Sequence, residues 1–303
     1  MGTPAFAVPS LRALASATTL VGVVSQPDRP RGRGLASQPS PVAAAAGALG
    51  APLLRPTSVR TPETLEALAQ WRPDLLVVAA YGKILPPALL DLPTLAPINV
   101  HASLLPRYRG AGPIAASILA GDAETGVTIM LMSEAMDAGD MLLQRTLAIG
   151  VDHTTETLTT ALAELGATAL IEALTALRRD GLTAEPQDLA RVTYAPRLTK
   201  DDGRIDWQRD AASIERMIRA FSPWPSAFTT LAGRTMKMLT AEVVRDATPR
   251  GTPGTITIES GRFLVATGAG VLAITTLQPE GRKAMAAAAF MAGARLGSDA
   301  RFE

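Results

Sequence analysis

Short apolar segments alternate with helix-forming segments from Thr19 to Ala148, and this alternation constrains the fold more than any other feature. The clearest buried strands are predicted at Thr19–Val24, Asp74–Ala80 and Ile98–Val100. Between the first two, Thr61 is positioned to cap a helix that begins at Pro62. Strands that alternate with helices form a sheet covered by helices on both faces. The sequence therefore predicts an α/β domain with a Rossmann-like, doubly wound, mostly parallel sheet.

The sequence changes character after a long amphipathic helix. Leucines recur at helical spacing over Thr155–Arg179, and the two terminal arginines suit a helix that ends at Gly181. Residues 182–203 contain prolines and mixed charges, which indicates a linker. A short helix at Ser213–Phe221 is then followed by short strand-like segments that glycines separate. We predict a first domain over residues 1–181 and a second domain over 204–303, a small OB-like β-barrel.

The residue types exclude several kinds of chemistry. The 303 residues contain no cysteine, so disulfides, thiolate zinc sites and a cysteine nucleophile are excluded. His101 and His153 are the only histidines, which leaves almost no means of building a metal site from several histidines. No membrane span or secretory signal is recognised. The formal net charge is +1, so the chain as a whole is not a polybasic nucleic-acid binder. Without a membrane span or secretory signal, we expect a cytoplasmic enzyme that uses no metal and no membrane. A monomer is favoured because no long apolar stripe is left over.

Cationic residues concentrate in a loop and, more weakly, in the second domain. The loop Gln26–Pro41 holds Arg29, Arg31 and Arg33 among prolines and glycines, an arrangement that suits phosphate binding. An ordinary surface loop would have the same composition. Residues 200–303 carry 14 Lys and Arg against 11 Asp and Glu, which favours the second domain for an anionic partner.

The stretch Pro97–Ile114 contains the most reactive combination of side chains. Asn99 and His101 lie two residues apart at the end of a predicted strand, so both side chains point to one face. Open α/β sheets bind their ligands at this end of their strands. An amide and an imidazole there can donate hydrogen bonds to a carbonyl oxygen and stabilise its developing charge. The alternative is a buried structural histidine beside a strand-end asparagine.

A second candidate group lies in the segment Ser133–Gln144, between two predicted strands. Asp137 and Asp140 occur there with a glycine between them. A carboxylate at this place could orient a histidine or accept a proton from a nucleophile. The alternative is a turn, because Asp and Gly commonly shape connections between strands.

Several long motifs follow one another in a fixed order along the chain. They are GTPAFAVPSL, QPDRPRGRG, NVHASLLPRYRGAGPI, GDAETGVTIMLM, MDAGDML, YAPRLTKDDGRIDW, IRAFSPWPSAF and TLQPEGRKAM. In these motifs the chain resembles the folate-dependent formyltransferases nearly end to end. The resemblance implies a formyltransferase domain followed by a tRNA-binding domain.

The resemblance also assigns roles to individual residues. It implies that Asn99, His101 and Asp137 are the catalytic residues. It places the folate site at Ser103, Leu104, Leu105 and Pro106. It implies tRNA contacts through Arg29, Arg31 and Arg33, and through Arg282 and Lys283 of the RKAM segment.

The implied reaction transfers a formyl group from 10-formyltetrahydrofolate, the co-substrate, to the α-amine of methionyl-initiator tRNA. Within the family, formyl transfer to an amino-sugar nucleotide and hydrolysis of 10-formyltetrahydrofolate are alternatives. Outside it, the strand–turn–helix opening is compatible with a nucleotide-binding dehydrogenase, but no G-x-G-x-x-G follows a first strand. A non-catalytic RNA-binding protein would explain the basic domain and leave Asn99, His101 and Asp137 unexplained.

The amino terminus departs from the family pattern. Family members have a strand before the Gly-Thr-Pro turn, whereas this sequence begins at Met1, directly before Gly2. A strand of about six or seven residues, an ordinary strand length, is therefore expected ahead of the turn. Such a strand would lie centrally in a doubly wound sheet. We expect either an upstream start codon or a trimmed sequence.

Overall fold

The computed structural model describes residues 1–31, 36–179, 183–245, 247–294, 297 and 300–303. Contacts between Cα atoms divide the chain into two units. The first consists of Met1–Pro113, Glu124–Ala148 and Thr159–Pro196. The second consists of Ile114–Ala123, Ile149–Leu158 and Arg197–Glu303, so it includes two short segments from the first half of the sequence.

Helices and strands alternate through the first half of the chain, and strands predominate in the second. The helices are α1 (Val8–Ala17), α2 (Pro41–Ala48), α3 (Pro62–Ala69), α4 (Pro87–Leu90), α5 (Pro113–Ala120), α6 (Thr155–Arg179), α7 (Ala211–Ala220) and α8 (Ala287–Gly293). The strands are β1 (Val23–Val24), β2 (Arg29–Arg31), β3 (Ala36–Gln38), β4 (Leu53–Leu54), β5 (Leu75–Val78), β6 (Ala96–His101), β7 (Glu124–Leu131), β8 (Met141–Ala148), β9 (Ala227–Leu231), β10 (Arg234–Val244), β11 (Ile256–Glu259), β12 (Arg262–Ala266), β13 (Val271–Pro279) and β14 (Met285–Ala286).

The first unit has the predicted α/β architecture. Strands β5, β6, β7 and β8 form one sheet in that order, with β5 and β6 parallel. Strands β1 and β4 form a separate parallel pair. The last two strands of the larger sheet, β7 and β8, run antiparallel to their neighbours, an edge that many mostly parallel sheets carry. The predicted cap of α3 is present, because Thr61 Oγ1 accepts a hydrogen bond from Thr64 N.

The first two residues connect the β1–β4 pair to the end of β5 through hydrogen bonds. Gly2 N donates to Val24 O at 3.0 Å, and Ala79 N donates to Met1 O at 2.9 Å. Ahead of Met1, an apolar cleft of about 550 Å³ separates β1 from β5. Residues 19–22 line this cleft, and only Val23–Val24 of the predicted strand Thr19–Val24 form β1. The strand expected ahead of Gly2 stays a prediction.

The α-amino group of Met1 is buried beside this cleft. It donates to Val77 O at 2.5 Å. Burial removes the ammonium ion from water and lowers the pKa of the amine from 8.0 to about 5. Near neutral pH the folded chain therefore carries a neutral amino terminus.

Helix α6 matches the predicted range, and its predicted end at Gly181 lies outside the described residues. Among the helices that the structure describes, it alone has the length and apolar character needed to cross a membrane. Its apolar face includes Leu158, Leu162 and Leu170, which are all fully buried within the protein. This burial is typical of a core helix.

The second unit contains an antiparallel sheet with the strand order β11-β12-β13-β10-β9, and β14 pairs with β13. The last residues of the chain bond to both edge strands. Thr230 of β9 and Glu303 exchange two hydrogen bonds, and Ile256 N of β11 donates to Ala300 O. Residues 300–303 therefore close the sheet, as expected for the predicted small barrel.

Aromatic rings fill the interior of the second unit. The Phe302 ring stacks on Trp207 with 5.3 Å between ring centroids, and it lies 6.0 Å from the Phe263 ring. Trp207 Nε1 donates to Thr229 Oγ1, which in turn donates to the Glu303 carbonyl oxygen. The closing segment is thus bound by both apolar packing and buried hydrogen bonds.

Candidate active site

Two of the predicted site residues lie on β6, which runs between β5 and β7. Asn99 is half-buried and is flanked by Val78 of β5 and Met130 of β7. His101 is the last residue of β6 and is 6% exposed. Pairing with β5 and β7 fixes the backbone at Asn99, and pairing with Thr128 of β7 fixes it at His101.

The loop between β7 and β8 brings Asp137 to the same place. Asp137 Oδ1 lies 3.5 Å from Asn99 Nδ2 and 3.6 Å from His101 Nδ1. Asp137 has a φ of +48°, a left-handed conformation that few residues other than glycine adopt. The structure thus assembles the three predicted catalytic residues around one carboxylate oxygen.

Backbone groups of the loop after β6 complete this cluster. Asp137 Oδ2 accepts a hydrogen bond from Gly110 N at 2.8 Å, and His101 Nε2 lies 3.0 Å from Tyr108 O. Gly110 has a φ of +112°, and a Cβ atom there would lie 2.7 Å from Ala195 O. Only glycine fits this position, so the N–H that holds Asp137 depends on the residue type.

The predicted folate segment forms the buried part of that loop. Ser103, Leu105 and Pro106 are buried, whereas Leu104 is partly exposed. Ser103 Oγ donates to Arg107 O at 2.6 Å, so its hydroxyl group stabilises the loop itself.

Two further polar side chains support the same loop from β7 and β8. Thr128 Oγ1 donates to Ser103 O and accepts from Leu105 N. Gln144 Nε2 donates to Leu105 O at 2.9 Å. These bonds fix the backbone of the segment that follows His101.

Sequence reasoning missed two buried polar residues that support the loop containing Asp137. Gln187 is 7% exposed and donates to the carbonyl oxygens of Asp137 and Gly139. Arg109 is 5% exposed and donates to Gln187 Oε1. The arginine lies in a recognisable motif, but the glutamine lies in the predicted linker, where no local pattern indicates a role.

The predicted tRNA-binding residues lie in both units. Arg29 and Arg31 belong to β2, which pairs with β3 in an antiparallel hairpin. Arg33 lies outside the described residues. Arg282 and Lys283 are exposed in the turn that follows β13. Across the described ranges, no group of three or more His, Asp or Glu side chains is arranged to hold a metal ion.

Comparisons with known proteins agree with this architecture. The family model described as formyl transferase matches residues 2–174, and the one described as formyl transferase, C-terminal domain, matches residues 197–295. The methionyl-tRNA formyltransferase of Desulfotalea psychrophila is 49% identical, with 99% of this chain and 93% of the relative covered. That of Anaeromyxobacter dehalogenans is 52% identical, with 95% and 93% covered.

Solved structures share the fold at lower sequence identity. An N-formyltransferase from Helicobacter canadensis, in complex with folinic acid and dTDP-3-aminofucose, aligns with a TM-score of 0.68 at 17% identity and covers 90% of this chain and 96% of its own. Methionyl-tRNA formyltransferase from Clostridium thermocellum aligns with a TM-score of 0.53 at 18% identity and covers 65% and 82%. Because the family models match most of the sequence and close relatives match nearly all of it, the chain belongs to the formyltransferase family.

Proposed function

We propose that this chain transfers the formyl group of 10-formyltetrahydrofolate to the α-amine of methionyl-initiator tRNA. The observation that carries the proposal is the convergence of Asn99 and His101 on Asp137 Oδ1 at the end of β6. Similarity to methionyl-tRNA formyltransferases over nearly the whole chain supports the choice of substrate. We further propose that the protein acts as a monomer in the cytoplasm.

The attacking group needs little activation. A free α-amino group has a pKa of roughly 7.7–8.0, so a substantial fraction of the aminoacyl amine is neutral near pH 7. The difficult step is addition to the formyl carbonyl, because it places negative charge on the oxygen. The site must therefore stabilise an oxyanion and remove a proton from the amine.

Asn99 supplies the first of these functions. Its side-chain NH₂ group lies at the strand end and is only half-buried. One N–H faces Asp137 Oδ1 at a long 3.5 Å, and the other is available to donate to the formyl oxygen. A donor fixed in advance needs no reorganisation when the charge develops.

His101 acts as an imidazolium ion in this proposal. The carbonyl oxygen of Tyr108 only accepts, so Nε2 must donate to it. Nδ1 faces the carboxylate of Asp137, which also only accepts when ionised. A proton on each nitrogen satisfies both contacts and places a positive charge beside the developing oxyanion.

Asp137 completes the proton transfers. The amine nitrogen forms a bond to the formyl carbon, and the carboxylate takes the proton that the nitrogen loses. Collapse of the tetrahedral intermediate then breaks the bond between the formyl carbon and N10 of the folate. The proton passes to N10, so tetrahydrofolate leaves as a neutral amine. Asp137 is thereby ionised again for the next turnover.

We propose that the folate contacts the loop Ser103–Pro106 directly after His101. Leu104 is the partly exposed residue of this loop, and it offers apolar surface to a flat ring. Ser103, Leu105 and Pro106 are buried, so they shape the loop backbone that the ring meets.

The tRNA is proposed to contact Arg29, Arg31 and Arg33 at one place and Arg282 and Lys283 at another. The double substitution Arg282→Ala with Lys283→Ala is expected to weaken tRNA binding, because each lost phosphate contact reduces the number of counterions that binding releases. The slope of log Kd against log salt should fall by about one per contact. Binding measured between low and high salt tests this, and an unchanged slope would remove these two residues from the interface.

The proposed function is tested by a formyl-transfer assay with methionyl-initiator tRNA and 10-formyltetrahydrofolate. A reaction without tRNA measures folate hydrolysis. A third reaction offers an amino-sugar nucleotide, because the chain shares its fold with an N-formyltransferase whose structure contains dTDP-3-aminofucose. Formyl-methionyl-tRNA should be the main product. Hydrolysis alone, or formylation of the sugar alone, would assign the chain to another branch of the family.

Loss of a group that stabilises the oxyanion should reduce turnover strongly. Asn99→Ala and His101→Ala are each expected to lower kcat by about 10²–10³-fold, which is on the order of 3–4 kcal/mol. Affinity for tRNA should stay unchanged in both. His153→Ala is the matched control, because the ring of this histidine accepts a hydrogen bond from Gly150 N and forms no described bond to Asn99, His101 or Asp137. Near-normal turnover in either site variant would contradict the assigned roles.

A further inference from the structure

The Gln187 side chain uses all of its hydrogen-bonding capacity in contacts with the Asp137 loop and with Arg109. Its Nε2 donates to Asp137 O at 2.9 Å and to Gly139 O at 2.7 Å. Its Oε1 accepts from Arg109 Nε at 3.0 Å and from Arg109 Nη2 at 2.7 Å. An amide has two donor hydrogens and two acceptor lone pairs. The four bonds therefore fix both the position and the orientation of this side chain.

Arg109 has an unusual partner for a buried cation. Its side chain is 5% exposed, and within the described residues no carboxylate oxygen lies within 4 Å of it. A buried guanidinium without a carboxylate carries a desolvation cost. Its charge instead polarises the Gln187 amide, which strengthens the two hydrogen bonds on the other side.

Those two bonds hold two peptide groups on the carboxyl side of Asp137, the ones that carry the carbonyl oxygens of Asp137 and Gly139. The residue adopts a φ of +48°, which is unfavourable for a side chain with a Cβ atom and persists only where neighbours enforce it. Gly139 is also constrained, because a Cβ there would lie 1.9 Å from Leu131 O. The Gln187 amide thus binds the backbone of the loop, while the Asp137 carboxylate faces Gly110, Asn99 and His101.

The path of the chain makes this connection possible. Glu185 exchanges two backbone hydrogen bonds with Met141 at the start of β8, which places Gln187 beside the loop. Arg109 is held by its own backbone, since its N donates to Thr193 O and its O accepts from Ala195 N. Both side chains therefore come from backbone segments that are fixed independently of the loop.

We propose that Gln187, oriented by Arg109, is a positioning residue that keeps the Asp137 carboxylate in its reactive place. This inference rests on the proposed function, because it assigns Gln187 an effect only through Asp137. Neither residue touches the reacting atoms. Loss of the Gln187 amide should therefore slow the chemical step and leave substrate binding unchanged.

The test combines Gln187→Leu with Asp137→Asn in a double-mutant cycle, measured as formyl transfer by the full chain. Alone, Gln187→Leu should lower kcat by about 10–100-fold, because a displacement near 1 Å has effects of that size. The KM values for tRNA and folate should change by less than about twofold. In the Asp137→Asn background, the same substitution should lower kcat by less than about twofold.

Three variants make the test decisive. Gln187→Glu retains an oxygen that accepts from Arg109. Its second oxygen replaces the NH₂ group and cannot donate to the carbonyl oxygens of Asp137 and Gly139. This variant should therefore be as slow as Gln187→Leu. Gln208→Leu changes an exposed glutamine and should have normal kcat. If Gln187→Leu does not fold by thermal melting, Arg109→Lys replaces it, since lysine keeps the charge but loses the two-pronged contact.

Each result has a distinct meaning. A normal kcat in Gln187→Leu, a loss confined to KM, or a full additional loss in the Asp137→Asn background would overturn the positioning role. A fully active Asp137→Asn would instead contradict the catalytic role of Asp137, whereas a parent chain that transfers no formyl group to methionyl-initiator tRNA would contradict the proposed function itself.

Discussion

Phe302→Ala is expected to lower the free energy of unfolding by about 3–5 kcal/mol, the usual cost of removing a buried phenylalanine ring. Phe302 is 1% exposed, and its ring stacks on Trp207 with 10° between the ring planes. Its backbone N donates to Gly254 O at 2.9 Å. The ring therefore anchors the segment that bonds to both edge strands of the second unit.

Urea unfolding followed by tryptophan fluorescence measures this effect. Phe290→Ala is the matched control, because its ring also approaches Phe263, at 6.1 Å, but remains partly exposed. The control should lose less than about half as much stability. If Phe302→Ala stays within about 1 kcal/mol of the parent chain, the terminal segment does not secure the sheet.

The buried amine of Met1 is expected to make stability rise with pH between about 5 and 8. The pKa of this amine is 8.0 in its ordinary state and about 5 in the folded chain. The unfolded chain therefore binds more protons over this interval, so protonation favours unfolding as the pH falls. Below pH 5 the buried amine lowers the free energy of unfolding by an amount on the order of 4 kcal/mol, and above pH 8 this destabilisation is absent.

Unfolding by urea at several pH values tests this linkage. The chain that begins at Met1 is compared with the same chain acetylated at its amino terminus. Acetylation removes the titrating amine, and the cleft beside Met1 has room for the added group. Other groups titrate equally in both chains, so the difference between them isolates the amine. Parallel stability curves for the two chains would contradict the buried, neutral amine.

Much of the secondary structure follows from local sequence patterns. The leucine spacing predicted α6 over its full described range, and Thr61 caps α3 as its residue type indicates. These features depend on neighbours within a few positions, where propensity and periodicity act directly. The predicted strand Thr19–Val24 is shorter in the structure, because a strand also needs partners along its length.

The candidate site was accessible to sequence reasoning only in part. Asn99 and His101 stand out because strand alternation puts both on one face. Asp137 lies 38 residues from Asn99, and its role came from the family resemblance before the structure placed it beside them. No local sequence pattern indicates a role for Gln187, because its amide binds the backbone carbonyl oxygen of Asp137, a residue 50 positions away in the sequence.

By itself, the sequence determined the α/β class of the first domain, the β-rich second domain and the family of the chain. Only the tertiary structure decided how Met1 and Gly2 join β1 to β5, how residues 300–303 close the second sheet, and how Arg109 and Gln187 hold the loop of Asp137. The physical reason is the same in each case. Hydrogen bonds between distant segments satisfy backbone and side-chain groups wherever the folded chain brings them together, and no local pattern records those partners.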